Sequence, residues 1–264
     1  MSKRVLGVMC VALFLAAVPA RADIIGPYTA DANTLHLYHF DEPASTGSVT
    51  DSGSGTQMDL DTVAGTQGAT AFSGFDKAFD LGLAKTTNRA QDTTLTPQSD
   101  WQGADGAFTY EMIIKTANIA GTSYDANQLF VRDNSGGERV FQWGIDGGNL
   151  LFTGITSGGS GAYGVTIPTD GEHAWDANKW FHVAVTYNGT PTDAANMKFY
   201  WTVMDSSVTL ANLIGTAQLN ADLTSTEDDS TVAGNREGDN SNLEGLIDEL
   251  RVSSVARGAG DFVF

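Results

Sequence analysis

The chain has 264 residues, of which 32 are acidic and only 14 are basic, so its formal net charge is −18. Nucleic-acid binding relies on a basic surface that neutralises phosphates, and this composition disfavours it. The single cysteine, Cys10, lies in an apolar N-terminal stretch, so the remainder of the chain can form neither disulfides nor cysteine metal sites.

Residues 1–22 have the pattern of a secretory signal peptide. Two basic residues precede an apolar run of about 14 residues, Val5–Val18, and Ala20-Arg21-Ala22 is a small-x-small cleavage site. The run is shorter than the roughly 20 residues that a membrane-spanning helix needs. We therefore expect cleavage after Ala22, bacterial export to the periplasm or the exterior, and one domain over residues 23–264.

Removal of the signal peptide would increase the acidic imbalance. The mature chain would hold 11 basic and 32 acidic residues, a formal charge of −21. Divalent cations would offset the repulsion between so many carboxylates, although an acidic surface also serves solubility alone.

Beyond the signal peptide, alternating apolar and polar residues predict β-strands separated by glycine-containing turns such as Asp133–Gly137 and Asp146–Gly148. The predicted strands are Thr34–Asp41, Ala78–Gly82, Thr93–Pro97, Phe108–Thr116, Gln128–Arg132, Arg139–Ile145, Asn149–Ile155, Trp180–Tyr187, Met197–Met204, Ala217–Leu219, Ser230–Ala233 and Leu246–Ser253. Thr46–Gly68 and Gly154–Gly164 are rich in small residues and are expected to be loops. No window keeps a helical period for ten residues, which predicts an all-β, two-sheet antiparallel sandwich.

The same alternation predicts the core, because every second residue of a strand lies on one face. The residues expected to be buried are Phe108, Tyr110, Met112, Phe181, Val183, Val185, Phe199, Trp201, Leu250 and Val252.

The last predicted strand carries a carboxylate among apolar residues. Leu246, Leu250 and Val252 are two or four residues apart, and Asp248 shares their parity, whereas Glu249 is expected on the opposite face. A buried carboxylate is costly unless a cation, an arginine or several backbone N–H groups satisfy it. Asp248 is therefore a candidate metal ligand or a structural hydrogen-bond acceptor.

Six segments share the order and residue pattern of a known fold. They are Leu35–Glu42 with the Asp51–Gly55 loop, Phe75–Asp80, Phe108–Lys115, Trp180–Gly189, Gly245–Val252 and Val255–Arg257. Together they resemble the laminin-G-like domains of the concanavalin A-like lectin/glucanase jelly-roll family, over about Thr34 to Arg257. The resemblance implies a jelly roll in which the first and last strands pair, which would bring Asp41 close to Asp248.

The resemblance also implies a structural calcium ion, because domains of this family often hold one Ca²⁺ on loop carboxylates and carbonyls. The candidate ligands are Asp41, Asp51 and Asp248, with Glu42 and backbone carbonyls around Gly53 as further oxygens. The alternative is that Asp248 accepts backbone N–H groups or pairs with Arg251.

Sequence motifs for catalysis are lacking. The β-glucanases of this fold carry Glu-x-Asp-x-Glu or Glu-x-Asp-x-x-Glu on one strand, and the chain contains no such run. Its four histidines do not by themselves predict a zinc site or a catalytic triad. These features favour an exported, non-catalytic binding or adhesion module for a glycan or a surface partner; a polysaccharide hydrolase or lyase with unfamiliar residues and a structural surface protein are the alternatives.

Exposed aromatic side chains are the usual platforms on which sugar rings stack. Trp175, in the loop Gly171–Asn178, and Tyr163, in the glycine-rich stretch, are the candidate ligand-binding residues. The alternative for both is packing at the rim of the core.

Overall fold

A computed structural model describes residues 26–93, 98–121, 126–133, 139–156, 158–205, 208–223, 230–236 and 240–262. The predicted signal peptide, the turn residues 134–137 and most of the strand predicted at Thr93–Pro97 lie outside these ranges. Within them, the helical structure is limited to one 3₁₀ turn, Gln98–Asp100. No helix of these ranges has the length and apolar character to cross a membrane.

The strands of the described residues follow most of the predicted ones. In chain order they are β1 (Thr34–Tyr38), β2 (Ser48–Val49), β3 (Leu60–Ala64), β4 (Thr66–Thr70), β5 (Lys77–Gly82), β6 (Arg89–Asp92), β7 (Phe108–Thr116), β8 (Asn127–Asp133), β9 (Arg139–Asp146), β10 (Asn149–Thr156), β11 (Gly159–Thr166), β12 (Phe181–Tyr187), β13 (Met197–Val203), β14 (Leu213–Ala217), β15 (Thr231–Ala233) and β16 (Gly245–Ser253).

These strands form two antiparallel sheets that enclose a common core. The first sheet has the order β14-β13-β12-β7-β16-β5-β4, and β1 also pairs with β16; the second has the order β11-β10-β9-β8-β15-β6-β3-β2. The predicted all-β, two-sheet antiparallel sandwich is confirmed. The first strand pairs with the last, as the resemblance implied.

The main core is the apolar cluster between the two sheets. It contains Phe108, Tyr110, Met112, Phe181, Val183, Val185, Phe199, Trp201, Leu250 and Val252, each 0% exposed. All ten residues predicted for the core are therefore confirmed, because alternation is regular within each run of residues that carries them.

Two segments expected to be loops contain strands. Thr46–Gly68 holds β2, β3 and part of β4, and the stretch Gly154–Gly164 holds the end of β10 and most of β11. Those strands lie at or near the edges of the sheets, and most of their side chains are small or polar. Val49 and Leu60 are buried exceptions, and no residue of β11 is fully buried. Backbone hydrogen bonds to neighbouring strands stabilise such strands. Because they carry few apolar side chains, the sequence shows no alternating apolar pattern that would predict them.

A second apolar layer covers the outer face of the first sheet. This outer cluster consists of Tyr28, Leu37, Ala71, Phe75, Ala78, Ile113, Trp180 and Met204. On β7, Ile113 belongs to it whereas Met112 and Ile114 belong to the main core, so the two clusters lie on opposite faces of one sheet. Polar groups on this outer face are consequently shielded from water.

Candidate functional site

Two strands, β1 and β5, pair with different halves of the same edge of β16 and leave a gap between them. β1 pairs with the C-terminal half of β16, where Tyr38 lies opposite Leu250, and β5 pairs with the N-terminal half, where Phe79 lies opposite Ile247. Asp248 and Glu249 face the gap between β1 and β5. They have no ladder partner on that edge.

A β-bulge lies at the same place. Asp248 pairs with Ile113 on β7 and Arg251 with Glu111, so three steps along β16 match two steps along β7. Glu249 has a φ of 51°, in the left-handed region that non-glycine residues rarely adopt. An extra residue of this kind reverses the alternation of faces along the strand.

The bulge corrects the predicted orientation of Asp248. Ile247 joins Leu250 and Val252 in the main core, whereas Leu246 packs against the outer cluster. Residues opposite each other in antiparallel strands share a face, so Asp248 lies on the outer face with Ile113. The predicted shared face of Leu246, Asp248, Leu250 and Val252 is therefore wrong, because parity in the sequence does not show an inserted residue.

Four polar residues converge at the gap, and we call them the bulge site: His39, Asp41, Asp248 and Glu249. His39 and Asp41 follow β1, and Asp41 Oδ1 accepts a hydrogen bond of 2.7 Å from the Lys77 N–H at the start of β5. His39 Nδ1 lies 2.9 Å from Glu249 Oε1. Within the described residues, potential ligand atoms of His39, Asp41 and Glu249 all lie within 4.8 Å of one another.

Asp248 is the unsatisfied member of the bulge site. It is 0% exposed, and neither carboxylate oxygen accepts a hydrogen bond of normal geometry from the residues described. Burial, together with the neighbouring carboxylates of Glu249 and Asp41, raises the pKa of Asp248 to about 10, and the Glu249 N–H partly opposes this shift. A buried carboxyl without a partner is costly, so this arrangement favours either a bound proton or a cation.

His39 and Glu249 are the functional candidates that sequence parity missed. Burial raises the pKa of Glu249, although its hydrogen bond with His39 opposes that shift. The hydrogen bond with Glu249 in turn raises the pKa of His39. Glu249 also accepts the Tyr28 N–H at 2.9 Å, which ties the N-terminal segment to the bulge. The bulge is what brings Glu249 to the side of Asp248.

Asp51 lies in other surroundings. Its Oδ2 is 2.7 Å from His36 Nδ1, and its carboxylate also accepts the backbone N–H groups of Leu37, Gly53 and Met58. Like Asp248, it is absent from the group of closely spaced ligand atoms formed by His39, Asp41 and Glu249. Asp51 as a calcium ligand stays a prediction, while Asp41 and Asp248 are close enough for their charges to interact.

A polar groove of about 560 Å³ lies on the second sheet, across β8, β9 and β10. Its polar lining comprises Gln128, Arg139, Gln142, Asp146, Thr153, Arg236 and Ser241. Gln128 is 9% exposed, and its buried Oε1 accepts no hydrogen bond from the described residues. Buried polar atoms normally have a partner, and this acceptor has none among the described residues.

The two aromatic residues predicted to bind a ligand are half-buried. Trp175 packs against the main core, and its Nε1–H donates to the Thr116 carbonyl at 3.2 Å. Tyr163 lies opposite Phe152 and packs against the main core from β11. Neither lines the polar groove, and their roles in ligand binding stay predictions.

Solved structures share this fold at low sequence identity. The binding domain of Paraclostridial Mosquitocidal Protein 1 has a TM-score of 0.53 and 14% identity, over 86% of this chain and 50% of that one. The botulinum neurotoxin serotype D binding domain has a TM-score of 0.53 and 13% identity, over 87% of this chain and 50% of that one. The receptor binding domain of botulinum neurotoxin C/D mosaic serotype has a TM-score of 0.54 and 14% identity, over 87% of this chain and 49% of that one. The chain spans about half the length of these structures, and likeness at this identity shows the fold alone.

Comparison with curated proteins gives no match. A family model described as the concanavalin A-like lectin/glucanases superfamily, of the laminin G type, matches residues 87–261. That range runs from β6 to the segment after β16 and includes the bulge and the polar groove. The chain therefore belongs to the concanavalin A-like lectin/glucanase superfamily.

Proposed function

We propose that this protein is an exported, non-catalytic binding module that recognises a glycan, presented free or on a surface partner. The observation that carries the proposal is the polar groove, in which Oε1 of Gln128 accepts no hydrogen bond from the described residues. Sugar hydroxyls donate and accept hydrogen bonds, so a glycan can satisfy a groove lined by amide, guanidinium and hydroxyl groups.

The position of the groove supports this role. Gln142 and Thr153 line it, whereas their strand neighbours Phe141, Trp143 and Phe152 fill the main core. A rigid sheet thus presents the groove, and few side chains need to be ordered when a ligand binds. The similar toxin domains are described as binding or receptor-binding domains. Recognition of a partner is proposed for this chain as well.

We further propose that a structural Ca²⁺ occupies the bulge site. Asp248, Asp41 and Glu249 would supply carboxylate oxygens, which are the ligands that calcium prefers. The ion would provide the countercharge that Asp248 lacks among the described residues, and the carboxyl would bind it in the deprotonated form. The bulge holds the ends of β1 and β5 against β16, so a bound ion would stabilise the closure of the first sheet.

A glycan-array screen run with and without Ca²⁺ tests the binding role. We expect retention of one class of glycan, and loss of that retention in Gln128→Ala and Gln142→Ala at an unchanged melting temperature. Trp175→Ala and Tyr163→Ala, screened in parallel, show whether the predicted aromatic contacts contribute. Absence of any retained glycan, or retention unaffected by both groove substitutions, contradicts the proposal.

Export is tested on the native precursor. Expression in a bacterial host should release a protein whose N-terminus is Asp23, as measured by intact mass and N-terminal sequencing. A product that keeps Met1 and stays in the cytoplasm contradicts export.

A further inference from the structure

A single buried carboxylate organises the polar groove. Asp133 is 1% exposed, and its Oδ2 accepts hydrogen bonds from Arg139 Nε at 3.0 Å and from the Gln142 amide. Arg236 Nη1 approaches the same oxygen at 3.8 Å. Three residues that line the groove are thus oriented by one group beneath them.

The Asp133 carboxylate binds only the Nε side of the Arg139 guanidinium. Nε is bonded to Asp133, whereas the two terminal NH₂ groups make no hydrogen bond with the described residues, and the side chain is 30% exposed. A planar guanidinium with free NH₂ groups presents a rigid set of donors that matches a carboxylate or a similar oxyanion. Arg139 is therefore pre-oriented for an acidic group in the groove.

Three other arginines near the core are buried and do not line the groove. Arg251 Nε bonds to Glu111 at 2.7 Å, Arg257 pairs with Asp31, and Arg132 stacks over Trp101. A simpler interpretation is that Asp133, Arg139 and Arg236 form an ion-pair network that only stabilises the end of β8. That interpretation accounts for Nε of Arg139 but not for its two NH₂ groups, which donate no hydrogen bond to the described residues.

Among the described residues that line the groove, the one acidic side chain lies far from Arg139 along β9. Asp146, which also lines the groove, is seven residues from Arg139 along β9, and a strand of that length spans about 23 Å. Fields from exposed charges are largely screened beyond about 8 Å at physiological ionic strength. The acidic surface therefore lowers the rate at which an anion approaches more than it weakens a direct contact with Arg139.

We propose, as an extension of the proposed glycan-binding function, that the ligand of the groove is an acidic glycan. The NH₂ groups of Arg139 bind the carboxylate of a uronic acid residue, and the amides of Gln128 and Gln142 bind neighbouring hydroxyls. Asp133 is a positioning residue that holds Arg139 and Gln142 in place.

Calorimetric titration with matched oligosaccharides tests the inference. The probes are oligogalacturonate, oligomers of glucuronate and of mannuronate, and neutral galacto-, gluco- and manno-oligomers of the same length. We expect at least one acidic oligomer to bind about tenfold or more tightly than its neutral match, the scale of a charge-assisted contact. Arg139→Gln should remove that preference and leave weak binding of the neutral oligomer, and Arg139→Lys should keep part of it.

Two further variants distinguish the positioning of Arg139 by Asp133 from a general effect of positive charge on the protein. Asp133→Asn should weaken the acidic preference although Arg139 is retained, because the arginine loses its charged anchor. Lys198→Gln removes a positive charge from an exposed residue of β13 in the other sheet and should change nothing.

Failure of the acidic-glycan inference can be distinguished from failure of the glycan-binding proposal. Neutral oligomers that bind as tightly as acidic ones, or an acidic preference that survives Arg139→Gln, overturn the acidic-glycan inference and leave the glycan-binding function standing. If no oligomer binds the folded wild-type protein and the glycan array is also blank, both proposals are wrong.

Discussion

Asp248 lies directly opposite Ile113 on the neighbouring strand, on the outer face of the first sheet, and neither oxygen of its carboxylate has a hydrogen-bond partner in the described part of the chain. The residue that follows it, Glu249, adopts a left-handed backbone conformation with a φ of 51°. Local strain and an unsatisfied buried carboxyl group thus occur together. Such features persist where a ligand or the surrounding structure compensates for them.

The first prediction concerns the ion at the bulge site. EDTA should lower the melting temperature of the wild-type protein, and saturating Ca²⁺ should stabilise it by about 2.7 kcal/mol at 100 times the dissociation constant. Because Asp248 must release a proton to bind the ion, this stabilisation should be larger at pH 8 than at pH 5. Asp248→Asn should abolish the sensitivity to EDTA, whereas Asp61→Asn, at an exposed position of β3, should keep it. A wild-type melt that EDTA does not change removes the calcium proposal.

The second prediction concerns the main core. Phe181 and Trp201 are 0% exposed, and their rings pack with centroids 4.7 Å apart. Truncation of either to alanine removes buried contacts and leaves a cavity, so we expect a loss of about 3–5 kcal/mol in the free energy of unfolding, measured in urea. Leu210→Ala, at a side chain that is 59% exposed, is the control and should cost less than about 0.5 kcal/mol. Equal stability of all three variants would mean that the two rings are not in the core.

The third prediction concerns two histidines whose pKa values should move in opposite directions from 6.5. Burial lowers the pKa of His182, although its contact with Glu111 opposes the shift, and the hydrogen bond with Glu249 raises the pKa of His39. An NMR titration of the ring protons, assigned with His182→Gln and His39→Gln, measures both. Equal pKa values for the two rings would contradict these environments.

The same shifts have opposite consequences for stability. The unfolded chain protonates His182 near pH 6.5 while the native state keeps it neutral, so its stabilising contribution is complete above that pH and is lost as the pH falls. His39 contributes stability below pH 6.5, which is lost as the pH rises through its raised pKa. Urea melts of the two variants against wild type at pH 5 and pH 8 should show these opposite trends.

The fourth prediction concerns the start of the last strand. Gly245 has a φ of 154°, and a Cβ at this position would overlap the Lys115 carbonyl oxygen of β7. Gly245→Ala should therefore displace the backbone of β16 or of β7 and lower the free energy of unfolding by about 1–3 kcal/mol. At Gly158 the nearest atom to an added Cβ is 3.6 Å away, so Gly158→Ala is the matched control. A Gly245→Ala variant as stable as this control would contradict the close approach of β16 and β7.

Regular alternation made the interior predictable. Phe108, Tyr110, Phe181 and Val183 lie in strands without inserted residues, so their parity in the sequence is their parity in the sheet. The pairing of the first and last strands was also available, although only through resemblance to a family. Edge strands such as β11 were not predictable, because only Tyr163 and Val165 of β11 pack against the core and its other residues are small or polar.

The sequence by itself determined the all-β sandwich and the main core, because burial of every second side chain is a local pattern with a period of two. It also singled out Asp41 and Asp248. Only the tertiary structure decided that Glu249 and His39 join them, since a bulge depends on the register between β16 and β7 and on the gap between β1 and β5. The groove around Asp133 likewise forms only where β8, β9 and the segment that contains Arg236 come together in the fold. The spacing of these residues along the chain does not predict that they meet.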